Sequence, residues 1–336
     1  MNEYISTFTT GFSDVIEKII GRDLPGASVI DVYDGLIRYK YSGDFKRIKK
    51  LPYFNNTYYV IRSFNGKKIT FNSMVKEMTK YRHSYLINYG TFRIRFSQGN
   101  RFCGVEKSLA ASAEKNVMYN SSLKTNRLNP STEVWYIIRT EGVGFYCQLL
   151  FNRKATEKEL HKGELRPEFA YLMCEMIPQN KGMIVCDPFC GYGSIIKQLK
   201  KKPNIKKIYA SDIDDSLIST VSRLDWAKSS KIEFNVMDAR RMDSKASKTV
   251  DAIITDPPWG FYENIDNIKE FYLSMLKEML RILKDNGIIV LLSARKEELL
   301  NCCQLLDVLV ISRVDTLVNG KKAAVFGIKK KVRKNA

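Results

Sequence analysis

Asp256-Pro257-Pro258-Trp259 is the stretch of this chain whose residue types say most about chemistry. It follows Val250-Asp251-Ala252-Ile253-Ile254-Thr255, an apolar run that reads as a buried strand. Neither proline donates to a sheet ladder, and each fixes its own φ. The strand therefore ends in a rigid, carbonyl-rich lip carrying one carboxylate and one flat ring. Such a lip suits a planar nucleobase with an exocyclic amine. The Asp256 carboxylate and a backbone carbonyl accept from the NH2, and the Trp259 ring stacks on the base. A Pro-Pro pair that only terminates a strand is the plain alternative for an isolated motif, so the rest of the chain decides.

Val185-Cys186-Asp187-Pro188-Phe189-Cys190-Gly191-Tyr192-Gly193-Ser194 reads as a strand, a tight loop and a helix start. Gly191 and Gly193 let the backbone approach a ligand closely. Nicotinamide enzymes use a similar glycine pair, but Asp187 at the strand end repels phosphates and favours a cationic or amine-bearing ligand. S-adenosylmethionine has a sulfonium, an amino group and no phosphate. The next strand ends in Asp212, placed to accept from both ribose hydroxyls, while Asp214 suits the cap of the following helix. Asp238 follows the third strand, where an acid reaches the adenine amine. Each aspartate alone is a common strand-end cap. Three in succession at the carboxyl edge of one parallel sheet mark a ligand site, because open α/β sheets bind there.

The elements that must position these residues alternate. Strands are expected at 183–186, 207–210, 232–236, 250–254 and 288–292. Helices are expected at 194–201, 215–228 and 268–283, the last ended by Asn286-Gly287, and a Glu- and Leu-rich helix follows the 288–292 strand. Residues 308–312 and 323–328 pair across an Asn319-Gly320 turn. This predicts an α/β, doubly wound, mostly parallel sheet with one antiparallel hairpin at its end. A charged stretch without apolar periodicity, 152–166, reads as a linker. Before it, strands at 4–8 and 58–64, helices at 12–20 and 44–51 and a hairpin over 28–41 resemble a small ferredoxin-like α+β unit. A helix at 71–81, a strand at 91–96, a helix at 105–119 and a hairpin around Glu141-Gly142 follow.

Bulk composition agrees with a globular chain of two or three domains: 336 residues, 44% hydrophobic and 27% charged. No apolar run approaches the roughly 20 residues that span a bilayer, and Met1-Asn2-Glu3-Tyr4 lacks the marks of a signal peptide. Seven cysteines without a paired spacing predict a reducing, cytoplasmic setting. Cys186 and Cys190 lack a second ligand pair and the chain has only two histidines, so no metal is expected. The net charge of +19 points to a polyanion, nucleic acid before membrane.

Together these pieces resemble a class I S-adenosylmethionine-dependent methyltransferase of the amino-methylating group. The loop Asp187-Pro188-Phe189-Cys190-Gly191-Tyr192-Gly193-Ser194, the strand end Ser211-Asp212-Ile213-Asp214 and the lip at Asp256 are similar to the THUMP-containing tRNA guanine-N2 methyltransferases. Gly163-Glu164-Leu165-Arg166-Pro167-Glu168-Phe169-Ala170 resembles the RP-containing segment that this family places before its catalytic domain, where it closes over the cofactor. Trp259 departs from the commoner tyrosine. The resemblance implies a Rossmann-like domain with a mostly parallel seven-stranded sheet at 171–330. A ferredoxin-like domain (1–65), a THUMP-like RNA-binding domain (66–155) and a linker with the RP segment (156–170) precede it, and a basic tail (331–336) follows. It implies a cofactor site for S-adenosylmethionine from Pro167, Asp187, Phe189, Gly191, Gly193, Ser194, Asp212, Ile213, Asp238, Ala239 and Asp256. The acceptor lip is Asp256, Pro257, Pro258 and Trp259.

An aromatic amine is a poor nucleophile because its lone pair is delocalised into the ring. Hydrogen bonds from its N–H groups to Asp256 and the Pro257 carbonyl direct that lone pair, so catalysis is positioning and charge stabilisation. Candidate phosphate contacts are Arg93, Arg95, Arg101, Lys107, Lys115, Lys124 and Arg127; Arg93 and Arg95 alternate with Phe92, Ile94 and Phe96 and so share one strand face. The resemblance implies guanosine N2 methylation in the tRNA acceptor stem, with the THUMP domain gripping the tRNA 3′ end. An adenine-N6 or guanine-N2 enzyme acting on rRNA or DNA, and a catalytically silent RNA-binding protein, are the competing readings. A small activating subunit and the choice between monomer and homodimer stay open.

Overall fold

The computed structural model describes residues 1–66, 68–153, 160–161, 163–261 and 265–331. The linker residues 154–159 and 162 and the tail beyond 331 lie outside them. The chain falls into two units, Met1–Phe8 with Ile16–Lys154, and Thr9–Val15 with Ala155–Ala336.

The first unit carries β1 (Asn2–Thr7), α1 (Ser13–Asp23, whose first turn is counted with the second unit), β2 (Ser28–Tyr33), β3 (Leu36–Tyr41) and a 3-10 turn at Phe45–Lys50. These are followed by β4 (Asn56–Asn65), α2 (Phe71–Met78), β5 (Thr91–Gln98), β6 (Arg101–Phe102), α3 (Lys107–Asn120), β7 (Lys124–Thr125), β8 (Thr132–Ile138) and β9 (Val143–Asn152). They form one nine-stranded sheet among the described residues, in the order β2-β3-β1-β4-β9-β8-β5-β6 with β7 beside β5. The divide expected after residue 65 falls inside this sheet, because β4 pairs with β9 along its length. The helix expected at 44–51 is the 3-10 turn, started by Asp44 accepting from the Lys46 amide at 2.9 Å. Met74, Val75 and Met78 of α2 and Ala113 and Val117 of α3 pack on Phe92, Phe96, Tyr136 and Tyr146.

The second unit carries α4 (Pro167–Glu175), β10 (Met183–Asp187), α5 (Ser194–Lys200), β11 (Ile205–Asp212), α6 (Asp215–Ser222), β12 (Ile232–Val236) and β13 (Val250–Thr255). Then come α7 (Ile268–Ile282), β14 (Leu283–Ser293), α8 (Lys296–Leu305), β15 (Val308–Val318) and β16 (Lys321–Lys330). The seven-stranded sheet runs β12-β11-β10-β13-β14-β16-β15. It is parallel from β12 to β14, and β16 is antiparallel to both neighbours. This is the expected mostly parallel sheet with a terminal hairpin, whose turn at Asn319 and Gly320 has φ of 50° and 78°. Tyr272, Met275, Leu276 and Met279 recur at helical spacing on α7 and bury one face against β13, β14 and β16.

Two expected helix ends are corrected. α7 stops at Ile282, and Asn286-Gly287 lies within β14, where the pairing jumps from Leu283 opposite Val250 to Ile288 opposite Ala252. The turn signal there marks a bulge, and Gly287 fits because a Cβ would lie 2.9 Å from the Asp251 carbonyl. α6 ends at Ser222 instead of running to 228. The chain turns so that Trp226 packs on Gly193 and its carbonyl accepts from Lys200 Nζ at 2.6 Å.

Residues 9–15 are built into this second unit. Phe12 is fully buried and meets Phe169 of α4 edge-on at 5.2 Å. Thr316 Oγ1 donates to the Thr10 carbonyl at 2.9 Å. Gly11, at φ +89°, leaves room for no side chain, since a Cβ would lie 2.2 Å from the Asp315 carbonyl.

Candidate active site

The carboxyl ends of β10, β11 and β13, with the loop after β12, surround a cavity of about 470 Å³. Asp187, Phe189, Gly191, Ser194, Asp212, Ile213, Asp238, Ala239 and Asp256 all line it. Asp187 ends β10 and is 1% exposed. It accepts from Thr255 Oγ1 at 2.8 Å and from the Phe189 amide at 3.3 Å. Burial outweighs these two bonds and pushes its carboxyl up to about 7, with the nearby Asp212 charge adding to the rise. Asp212 accepts from the Gly191 amide at 2.9 Å and the Asp214 amide at 3.1 Å, which fixes both the glycine loop and the carboxylate. Asp214 caps α6 by accepting from the Ser216 and Leu217 amides, as its place in the sequence suggests.

Gly191 and Gly193 differ in role. At Gly191 (φ +47°) a Cβ would meet nothing within 4 Å, so its left-handed backbone turns the loop along the cavity. Gly193 is not on the cavity wall; at φ +78° a Cβ would lie 2.5 Å from the Trp226 ring. Pro167 is also off the wall, because it opens α4 as its first residue, and it is Gly163, Glu164 and Leu165 of the RP segment that line the cavity. That segment is tied down over the glycine loop. Ser194 Oγ donates to Glu164 at 3.3 Å, and the His161 ring stacks on Tyr192 at 4.1 Å with 10° between planes. Asp238 is held by Arg240, which donates through Nη2 at 2.6 Å and Nε at 3.0 Å and keeps its carboxyl below the usual range.

A second cavity, about 650 Å³, lies against the first. Gly163, Glu164, Leu165, Asp256 and Pro258 line both, so the two meet at the lip. Trp259 Nε1 donates to Asp256 at 3.0 Å, which gives the ring a second task besides the expected stacking: it orients the carboxylate. The lip is braced from behind. Tyr272, whose buried hydroxyl bonds Ser293 at 2.8 Å, reaches the Pro258 carbonyl at 3.4 Å, and Arg295 Nε donates to the Trp259 carbonyl at 2.8 Å. Beyond Trp259 the wall is Phe261, Val318, Asn319 and Lys321.

Residues 154–320 match the family model described as UPF0020: RMKL-like, methyltransferase domain. This part of the chain belongs to that family. The chain is 32% identical over 163 residues, 44% of its length and 43% of the relative, to the tRNA (guanine(10)-N2)-dimethyltransferase of Methanocaldococcus jannaschii. It is 29% identical over 187 residues, 52% of this chain and 35% of the relative, to the U6 snRNA (guanine-N(2))-methyltransferase THUMPD2 of Homo sapiens. The matched stretches thus span less than half the length of these curated relatives. Among solved structures, TrmN from Thermus thermophilus has the same fold, with a TM-score of 0.79 at 19% identity, covering 98% of this chain and 100% of that one.

Sequence reading missed Arg295 and Lys321, whose partners Trp259 and Phe261 lie far away along the chain, and it missed Arg240, although its partner Asp238 is only two residues before it. Glu164 and Leu165 stood in the quoted RP segment, but there the proline drew attention first.

In the first unit, Arg93 and Arg95 do share one face of β5, opposite the buried Phe92 and Phe96. Both are drawn to Glu133 on the neighbouring β8, Arg93 by a direct hydrogen bond and Arg95 at 3.6 Å. Arg127 is paired with Glu114 at 2.9 Å. Arg101, Lys107, Lys115 and Lys124 are exposed. Among the described residues no group of three His, Cys, Asp or Glu converges on one point, no helix is long and apolar enough to cross a membrane, and all seven cysteines are free thiols.

Proposed function

We propose that this chain transfers a methyl group from S-adenosylmethionine to the exocyclic N2 amine of a guanosine in RNA, with the tRNA acceptor stem as its target. The observation that carries this reading is the meeting of two cavities at Asp256 and Pro258: one lined by carboxylates, the other by aromatic rings and Lys321. The guanine-N2 activities named for the relatives point the same way.

The first cavity fits S-adenosylmethionine by the chemistry of its donors. Asp187 is a buried acid whose ionisation costs free energy until a cation lies beside it, and an amino group or sulfonium supplies that charge. Asp212 keeps acceptor capacity for ribose hydroxyls beyond its two backbone bonds. Ile213, 65% exposed, offers an apolar surface to an adenine, and Asp238 stands beside the buried Ala239 to accept from the adenine amine. The bound cofactor supplies an electrophilic methyl group.

The chain's own part is to hold the acceptor. Asp256, oriented by the Trp259 indole, accepts from one N–H of the amine. The Pro258 and Trp259 carbonyls each already accept a bond, from Tyr272 and Arg295, and the Pro257 carbonyl beside Asp256 is assigned to the other N–H. Both bonds turn the nitrogen lone pair toward the first cavity. The nitrogen becomes acidic once alkylated, so Asp256 then takes the proton without being a strong base. Leu165 and Pro258 give the junction an apolar border. A guanosine in a stem must first leave the stack, at a few kcal/mol, which RNA contacts elsewhere offset.

Asp256→Asn keeps the shape and removes the charge. Turnover on tRNA should fall by orders of magnitude, while cofactor affinity measured by calorimetry changes little. A variant that methylates at close to the wild-type rate would remove Asp256 from its role.

A further inference from the structure

The first unit has a cavity of its own, about 240 Å³, between β4 and the loop that follows α2. Its wall includes Arg62, Tyr81, Arg82, His83 and Ser84. The loop is pinned to the end of α3: the His83 amide donates to Asn120 Oδ1 at 3.1 Å, and Asn116 Nδ2 meets His83 Nε2 at 3.3 Å. Both arginines lie over tyrosine rings that are more than half exposed. Arg62 is 5.5 Å from the centre of Tyr81, and Arg82 is 4.1 Å from the centre of Tyr119. A guanidinium resting on a ring still offers in-plane N–H groups, and that planar fork matches a phosphate.

Positive charge is in excess here. Arg82 donates to the Tyr119 hydroxyl at 2.9 Å and to the Tyr119 carbonyl at 3.5 Å, both uncharged, which leaves most of its five N–H groups to give. Glu77 bonds Lys80 at 2.8 Å and lies 3.7 Å from Arg62, so one acid serves two cations. Arg93 and Arg127, by contrast, spend their charge on Glu133 and Glu114. Two guanidiniums on the wall of so small a cavity repel each other, and an anion between them offsets the repulsion. Pockets that hold a whole small ligand run to about 300–1,000 Å³, so this one suits a single phosphate group and not a complete nucleotide. We propose that the cavity is a phosphate site for the RNA substrate, in which Arg62 and Arg82 grip one phosphodiester. This rests on the chain acting on RNA. It moves the strongest contact of the first unit from the arginines of β5 to the loop after α2.

The test is filter binding of bulk tRNA to the full-length protein over a range of salt. Arg82→Gln should weaken binding roughly tenfold at moderate salt, as expected for one charge-assisted bond. It should also make the slope of log affinity against log salt shallower by about 0.7–0.9, the contribution of one phosphate. Arg62→Gln should act in the same direction. Arg82→Lys should restore the slope and only part of the affinity, because an ammonium meets the phosphate as a point charge without the fork. Arg127→Gln, whose charge is spent on Glu114, should stay close to wild type. Cofactor affinity should be unchanged in all four variants. Wild-type affinity and slope in Arg82→Gln would overturn the proposal. Equal losses in Arg82→Gln and Arg127→Gln would also overturn it, since they mean diffuse attraction without a site. Calorimetry with inorganic phosphate separates the other source of the same chemistry: micromolar binding that Arg82→Gln abolishes would make the cavity a small-anion site and reject RNA there. Failure of the underlying reading looks different. A wild-type protein that binds tRNA yet yields no N2-methylguanosine loses its proposed activity, while the binding comparison still decides the phosphate site because it needs no turnover. A wild-type protein that binds no tRNA overturns both.

Discussion

Single residues set the conditions under which this site works. The Asp187 carboxyl, near 7, lies far above the 3.8 of an unperturbed aspartate. A raised acid stabilises the empty fold fully below 3.8, and that contribution is lost as pH rises through about 7. A cationic ligand acts in the opposite sense, because it binds the ionised form. Affinity for S-adenosylmethionine should therefore rise as pH climbs to about 7 and level off above it. Calorimetry on both sides of that point checks this, and Asp187→Asn should bind weakly and without pH dependence. Trp259→Phe keeps a ring at the lip and removes the N–H that orients Asp256. Turnover should drop about tenfold or more, as for a bond to a charged group, with cofactor affinity intact. The acids of the site were legible one by one, because Asp187, Asp212, Asp238 and Asp256 each follow a recognisable strand. What the sequence hid was their partners. Arg240, two residues after Asp238, and the indole three residues after Asp256 are close in sequence, but residue types alone do not fix the turn geometry that points them back at the acids. The need for glycine at 193 was legible, but not that Trp226 would stand 2.5 Å from a Cβ there.

At the scale of elements, the alternation of apolar runs and amphipathic segments revealed the seven-stranded sheet, including its final hairpin. The errors fell where tertiary packing overrides local signals. Asn286-Gly287 is a turn dipeptide absorbed into a bulge of β14, and α6 ends early to deliver Trp226. A larger surprise is the chain start. Residues 9–15 bind α4 through Phe12 and β15 through Thr10 and Gly11. α4 directly follows Gly163, Glu164 and Leu165, which line both cavities, and β15 runs into the turn that precedes Lys321. Phe12→Ala should cost about 3–5 kcal/mol, as for other buried phenylalanines. It should also weaken cofactor binding, because α4 loses its ring partner, whereas Phe12→Leu should spare most of both. Chemical denaturation together with calorimetry separates the two effects. Wild-type affinity in a destabilised Phe12→Ala protein would confine the clasp to a structural role.

For the whole molecule, a net charge of +19 and an aspartate-lined cavity beside an aromatic one argue for a polyanionic substrate presenting an amine. Charge points to a polyanionic partner, but neither charge nor the order of elements reveals that residues 9–15 group with the second unit. A fragment beginning near residue 156 keeps every acid of the site yet lacks residues 9–15, so Phe169 is uncovered. Such a fragment should melt well below the full chain, and restoring its stability should require the chain start. The claim on which all else depends is the identity of the product. Purified full-length protein, unmodified tRNA and S-adenosylmethionine should be incubated, and the RNA digested to nucleosides and resolved by mass spectrometry. N2-methylguanosine, present with wild-type protein and absent with Asp256→Asn, is the result expected. N6-methyladenosine as the sole product, or no methylated nucleoside from a protein that binds both cofactor and tRNA, would contradict it.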